Sequence, residues 1–166
     1  GLLVVTDIDQ ARLDRAASIL TVEDARNNGV ELHYVNTAGI DDPVEHLRSY
    51  TDGNGYDDVL VFAPVAPLFE QGDQILGNDG CLNFFAGPTD STLSAQINIY
   101  DIHYSGHHVV GTSGGNTDDM VESLRLMSSG HINPSAMITH VGGLNAVIET
   151  TKNLPKIPGG KKLMYT

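Results

Sequence analysis

The chain has 166 residues, 40% of them apolar, and a formal net charge of −12. That length predicts one domain with a sizeable core, and the acidic balance argues against nucleic acid or an anionic membrane as partner. No run is apolar enough for a membrane span, no signal peptide is read, and the lone Cys81 excludes an intramolecular disulfide or a cysteine zinc cluster, which points to a reduced, cytoplasmic setting.

The predicted elements alternate. Leu2 to Thr6 is a continuous β-branched run, which suits a buried parallel strand, and it ends on Asp7. Asp9 can cap a helix whose Leu13, Ala16, Ala17 and Leu20 share one face, and Asn27-Asn28-Gly29 stops it. Val30 to Asn36 reads as a strand. Asp42-Pro43 opens a helix that Gly53 and Gly55 close. "YDDVLVFAP" is a buried strand ended by Pro64, "APLFEQGDQIL" a helix, and "DGCLNFFAGP" a turn, a strand and a Gly-Pro stop. "TLSAQINIYDIHYSGH" suggests an extended stretch around Ile97 to Tyr100. "HVVGTSGG" is a short strand running into a glycine turn. Thr117 then caps a helix with Asp118 and Asp119 in its first turn and Met120, Leu124 and Met127 as its buried stripe. "SAMITHV" is a strand, "LNAVIETTKNL" a helix and "KKLMYT" a last strand. This order predicts an α/β fold, an open parallel sheet with helices on both faces, whose ligands sit beyond the carboxyl ends of the strands.

An acid at a strand's carboxyl end can accept both hydroxyls of an adenosine ribose and would repel a 2′-phosphate, so Asp7 favours NAD over NADP. Arg12 lies one helical turn on and can flank the same ribose. Asp7 and Asp9 fit equally well as turn and cap residues. The small residues at later strand ends, Ala63-Pro64-Val65, Ala86-Gly87-Pro88 and Thr112-Ser113-Gly114-Gly115, would let a planar ligand lie against the backbone; ordinary turns carry the same residues. His103, His107 and His108 match no zinc spacing even with Cys81, and structural or surface roles are expected for all seven histidines. "TSGG" lacks the nucleophile-elbow pattern, and no catalytic residue and no metal ligand is assigned.

"VVTDIDQARLDRA", "GYDDVLVFAP", "GCLNFFAGP", "HVVGTSGG", "ITHVGGLNAVIET" and "PGGKKLMY" resemble, in that order, the nucleotide-binding domain of the medium-chain dehydrogenases/reductases, the zinc-dependent alcohol and polyol dehydrogenases. "GCLNFFAGPTD", "HVVGTSGG" and "NLPKIPGGKKL" resemble the branch of L-sorbose 1-phosphate reductases. The resemblance covers nearly the whole chain. It implies a Rossmann-like cofactor domain, with NAD or NADP bound, of an enzyme that moves a hydride between the nicotinamide and a sugar phosphate or polyol. A zinc ion held in a separate catalytic domain would act as Lewis acid. The resemblance implies Asp7 as the ribose-binding acid, Arg12 as the residue flanking the adenosine, Ala86 and Gly87 as backbone near the carboxamide, and Lys161 or Lys162 near the phosphates. It also implies a homo-oligomer, commonly paired through edge strands.

Residues 1–166 depart from the family pattern. The glycine-rich phosphate loop and the first strand do not precede Leu2, and the zinc ligands of the catalytic domain are not in the chain. The expectation is a cofactor domain read from its second strand, inactive by itself. The other reading is a non-catalytic α/β binding or interaction module without cofactor. In the family's strand order the first strand lies between the strands starting near Leu2 and Val59. Either those two strands close up on each other, or a second copy covers the slot.

Overall fold

A computed structural model describes all 166 residues. Seven strands, all in parallel pairs, alternate with helices, and the chain divides into two compact units, residues 1–114 and 115–166.

In the first unit, β1 (Leu2–Asp7) pairs with β2 (Glu31–Asn36), bringing Asp7 opposite Asn36. Between them run α1 (Gln10–Ile19) and α2 (Val22–Asn27). The single helix expected from Gln10 to Asn27 is two. Thr21 interrupts it in an extended conformation, and its hydroxyl accepts from the Asp24 amide, so it starts a new helix instead of continuing the old one. Asp9 caps α1 as expected. Helix α3 (Pro43–Ser49) starts on the Asp42 cap with proline in its first turn.

β3 (Tyr56–Val61), β4 (Leu76–Phe84) and β5 (His108–Gly111) form the second sheet, in that order. Helix α4 (Ala66–Gln74) packs on β3 and β4. Strand β4 begins earlier than its sequence suggests: Leu76, expected in the helix, already pairs with Tyr56, and a register shift follows. The segment expected to be extended at Ile97 to Tyr100 turns helical at α5 (Ile99–Tyr104), because the Asn98 side chain accepts from the Tyr100 amide and caps it.

Two clusters make the core of this unit. Val35, Leu47 and Ile75 are buried together, and Val4 of β1 and Tyr56 and Val59 of β3 pack against them. Val61, Leu76 and Leu82 form the second, with Phe69 and Phe84 against it. The two sheets thus share side-chain packing but no hydrogen-bond ladder. β1 and β3 do not close up on each other: each pairs on one side only, and the shared apolar cluster holds them in the same core. The single open sheet expected for this stretch is therefore present as a two-stranded and a three-stranded parallel piece. Leu3 and Leu60 stay 43% and 56% exposed, which is unusual for strands of this apolar character.

The second unit holds α6 (Thr117–Ser128), β6 (Ile138–Gly143), α7 (Val147–Asn153) and β7 (Lys161–Tyr165), with β6 and β7 parallel neighbours and short 3-10 turns between elements. Asn116, not Thr117, is the cap of α6. Its side chain accepts from Asp119 N while Asp119 accepts from Asn116 N, a reciprocal capping box. The expected buried stripe of α6 is exposed, with Met120 at 63% and Leu124 at 64%. The helical period was read correctly, but nothing within this unit covers that face. No helix is long and apolar enough to cross a membrane.

The turn before β3 depends on one glycine. Gly55 has φ +84°, and a Cβ there would lie 2.4 Å from the Leu76 carbonyl oxygen. Gly53, at φ +81°, faces open space. Gly55→Ala is expected to destabilise the chain by about 3 kcal/mol or more, through backbone overlap added to the left-handed conformation, and Gly53→Ala by only about 1–2 kcal/mol. Urea unfolding of the two variants measures the difference. The Tyr56 hydroxyl donates to the Leu47 carbonyl at 2.7 Å, and burial, then the neighbouring Tyr50, raises its pKa above the ordinary value. Because the folded state holds this proton more tightly, stability is complete at neutral pH and is lost as pH climbs past about 10. Tyr56→Phe should cost about 1 kcal/mol at pH 7 and flatten that alkaline loss.

Candidate functional site

Parallel strands point the same way, so their carboxyl ends carry the candidate residues. Asp7 closes β1. Its Oδ1 accepts from the Asp9 amide at 2.9 Å, an Asx-type turn that fixes the carboxylate and leads into α1. Its Oδ2 lies 3.6 Å from Arg12 Nη1, and Arg12 Nε lies 3.5 Å from the Asp9 carboxylate. The arginine is 73% exposed and is tethered only by these two solvent-screened pairs. Beside Asp7 in the register, Asn36 donates to Gln10 Oε1 at 3.0 Å. The structure therefore brings Asp7 and Arg12 together as predicted. Gln10 and Asn36 complete the rim. Asn36 ends the predicted second strand, one position that a strand-end rule applied to every strand would have found.

The second group gathers at β3, β4 and β5. The Phe85 and Ala86 amides both donate to the Val61 carbonyl, at 3.0 and 3.1 Å, so the chain leaving β4 bends over the end of β3. Ala86 is buried. An open cleft of about 330 Å³ lies between residues 84–88 and residues 111–113. Ala86 and Gly87 line it, together with Thr112 and Ser113 of the glycine turn. Thr112 is pinned from both sides: its amide donates to the Phe84 carbonyl at 3.2 Å and its hydroxyl to Asn83 Oδ1 at 3.0 Å. Ala63 and Pro64 stand at the end of β3 but do not line the cleft. Their connection to it runs through Phe62, whose ring meets Phe85 edge-on at 5.6 Å.

The remaining candidates are accounted for locally. His108 Nε2 lies 3.1 Å from Asp79 Oδ1, His103 packs against the Tyr104 ring, and His140 is exposed beside the Thr139 hydroxyl. Lys162 Nζ folds back on the carbonyls of Pro158, Gly159 and Gly160, so its charge is engaged by its own turn. No group of three or more His, Cys, Asp or Glu side chains is placed to hold a metal ion, and no step through zinc is assigned to this chain.

The geometry, a fixed carboxylate at one strand end and a small-residue cleft between two others, suits a ligand with a ribose at one end and a planar group at the other. Comparison with known proteins gives the family and the fold. Residues 3–129 match the family model described as zinc-binding dehydrogenase. The chain is 59% identical over 163 residues to mannitol-1-phosphate 5-dehydrogenase of Aliivibrio fischeri and 44% identical over 166 residues to L-sorbose 1-phosphate reductase of Klebsiella pneumoniae. It is covered to 98% and 100% in these alignments but spans only 38% and 39% of those proteins. Among solved structures, benzyl alcohol dehydrogenase from Acinetobacter calcoaceticus superposes with a TM-score of 0.73 at 20% identity, over 99% of this chain and 42% of that one. The 2R,3R-butanediol dehydrogenase from Bacillus subtilis gives 0.69 at 20% identity, over 93% of this chain and 40% of that one. The parallel α/β arrangement is that of the nucleotide-binding domain of medium-chain alcohol dehydrogenases. With the family model matched over most of its length, this chain belongs to the zinc-binding dehydrogenases.

Proposed function

We propose that the chain is the cofactor-binding part of an NAD(P)H-dependent oxidoreductase acting on a sugar phosphate or polyol. The observation that carries this reading is the pairing of an Asp7 carboxylate, held by its own turn at the end of β1, with the cleft at residues 84–88 and 111–113. The substrate class is supported by the relatives, whose names specify mannitol 1-phosphate and L-sorbose 1-phosphate.

When bound, the nicotinamide supplies the hydride donor or acceptor. The work of this chain is to bind and orient it. Asp7 accepts the two hydroxyls of the adenosine ribose through the oxygen lone pairs its turn leaves free. Arg12, 3.6 Å from the Asp7 carboxylate, flanks the same adenosine end. The backbone of Ala86 and Gly87, with Ala63 and Pro64 behind it, offers amide and carbonyl groups to the carboxamide end. Thr112 and Ser113 form the opposite wall. An acid at the ribose favours NAD over NADP, since a 2′-phosphate beside a carboxylate pays Coulomb repulsion.

The pyrophosphate needs donors that these residues do not supply. The unpaired edges of β1 and β3 beside one shared core support a further parallel strand with its glycine-rich turn between them. Zinc chemistry belongs, in this reading, to a separate catalytic domain. Association of copies through an edge strand is supported by the unpaired outer edge of β5, where Val109 and Val110 are exposed.

Titration of the chain with NADH, followed by nicotinamide emission, tests the reading; the absence of tryptophan leaves that signal clear of indole transfer. Saturable binding is expected, weakened about 10–100-fold by Asp7→Ala through loss of the charge-assisted bonds to the ribose. NADPH affinity should fall far less in the same variant, because the repulsion is removed together with the acceptor. NADH binding that Asp7→Ala leaves unchanged would sink the assignment of the ribose to Asp7. Arg12→Ala should leave the urea midpoint equivalent to within about 0.5 kcal/mol of the parent, as an exposed pair predicts, while lowering affinity for both dinucleotides.

A further inference from the structure

Two large aromatic rings at the strand ends have no role in the cofactor reading above. Val61 of β3 and Phe84 of β4 are partners in the parallel register, so the next residues, Phe62 and Phe85, stand side by side. Side chains alternate across a strand. Val61 is buried and Phe84 meets Phe69 of α4 edge-on, so these two face the helix, and Phe62 and Phe85 project from the other face. There Phe62 is 67% and Phe85 49% exposed, with the ring centroids 5.6 Å apart and the planes steeply inclined. Of the two, Phe85 lines the cleft. A large apolar ring left half-exposed in a cleft at the carboxyl ends of parallel strands marks a surface that a ligand covers.

The chemistry of the cleft narrows what that ligand is. None of residues 84–88 and 111–113, which line it, carries a charge. Ala86 and Gly87 bring no side chain larger than a methyl group, which leaves room for a planar group beside Phe85. The Thr112 hydroxyl is already committed to Asn83 Oδ1. A cation placed here finds no carboxylate. Apart from carbonyl dipoles, the negative face of the Phe85 ring is what the cleft offers to positive charge. A nicotinamide changes its charge in use: the oxidised ring is a delocalised cation, and the reduced ring is neutral.

We propose that Phe85 is an aromatic wall of the cleft that stacks on the nicotinamide ring and holds its oxidised, cationic form more tightly than its reduced, neutral form. The proposal rests on the cofactor reading above and adds to it a contacting residue and a preference between the two redox states. The preference comes from the ring quadrupole. Both forms gain apolar contact with Phe85, and only the cation also gains attraction to the π face. ADP-ribose, which lacks the nicotinamide, gains neither.

The test titrates the 166-residue chain by calorimetry with NAD⁺, NADH and ADP-ribose. Phe85→Leu keeps an apolar side chain and removes the ring; Phe85→Tyr keeps the ring. Phe85→Leu is expected to raise the NAD⁺ dissociation constant about tenfold and that of NADH about threefold, and to leave ADP-ribose within about twofold. Phe85→Tyr should stay within about twofold of the parent for all three ligands. Because Phe85 is half-exposed, both variants are expected to fold, with urea midpoints close to the parent's. Equal weakening of NAD⁺ and NADH, weakening shared by ADP-ribose, an unchanged NAD⁺ affinity, or Phe85→Tyr as weak as Phe85→Leu would overturn the proposal and leave the cofactor reading in place. Failure of the parent chain to bind any of the three overturns the cofactor reading. The aromatic wall is then judged with two fragments, the 1-methylnicotinamide cation and neutral nicotinamide, by NMR of the backbone amides. The cation must shift the Ala86 and Gly87 amides more than nicotinamide does, and Phe85→Leu must abolish that excess; equal shifts in both proteins, or none, remove the proposal as well.

Discussion

Everything this chain does follows from the parallel direction of its strands. Parallel pairing forces every connection to cross back over the sheet, and it sends every strand's carboxyl end to the same side of its sheet. In the first unit Asp7, Ala63 and Pro64, Ala86 and Gly87, and Thr112 and Ser113 all follow strand ends. The four stretches are distant from one another in sequence. Within each sheet the strand pairing brings the ends to one side, and each strand end then needs only a local device to set its side chain or backbone. For Asp7 the device is the bond from the Asp9 amide; for Ala86, the bond to Val61; for Thr112, the clamp by Phe84 and Asn83.

The core shows how two sheets can be one body without one ladder. Val35 and Leu47 belong to the β1–β2 side, and Ile75 and Val59 to the β3 side, yet they form one cluster. Apolar contact is non-directional, so it tolerates a break in backbone pairing that hydrogen bonds do not. Arg48 adds a polar tie across the same region: its guanidinium donates to the carbonyls of Gln74 and Leu76, at 3.1 and 3.2 Å, and to that of Gly53. It satisfies carbonyls at the end of α4 where the chain turns into β4, a place where helix geometry leaves acceptors orphaned. The result fixes the start of β4, and with it the strand whose far end carries Ala86.

Much of this was legible in the residues because its causes are local. The Asp9 cap, the Asp42-Pro43 start and the β-branched runs each state their structure within a few positions, and the structure agrees at all of them. That Asp7 ends a strand and that Ala86-Gly87-Pro88 follows one were legible for the same reason. The misreadings have competing local signals or distant causes. Thr21 sits in a stretch whose apolar spacing runs past it, and Asn98 in a segment without a clear period, so neither capping side chain stood out from the pattern. Leu76 pairs with Tyr56, twenty positions away, and no window of neighbours reveals that. The α6 stripe is correct in period but exposed, since period states which residues share a face and not what covers it.

Asp73 and His107 were illegible for a different reason. Neither stands at a strand's carboxyl end, neither belongs to a motif, and an acid in a helix ordinarily reads as solvated surface. Only burial and the missing partner mark them. Asp73 Oδ1 and His107 Nδ1 stand 3.8 Å apart at the amino end of β5, the opposite end of that strand from Thr112 and Ser113, so they bear on how the strand starts and not on the strand ends that carry the candidate residues.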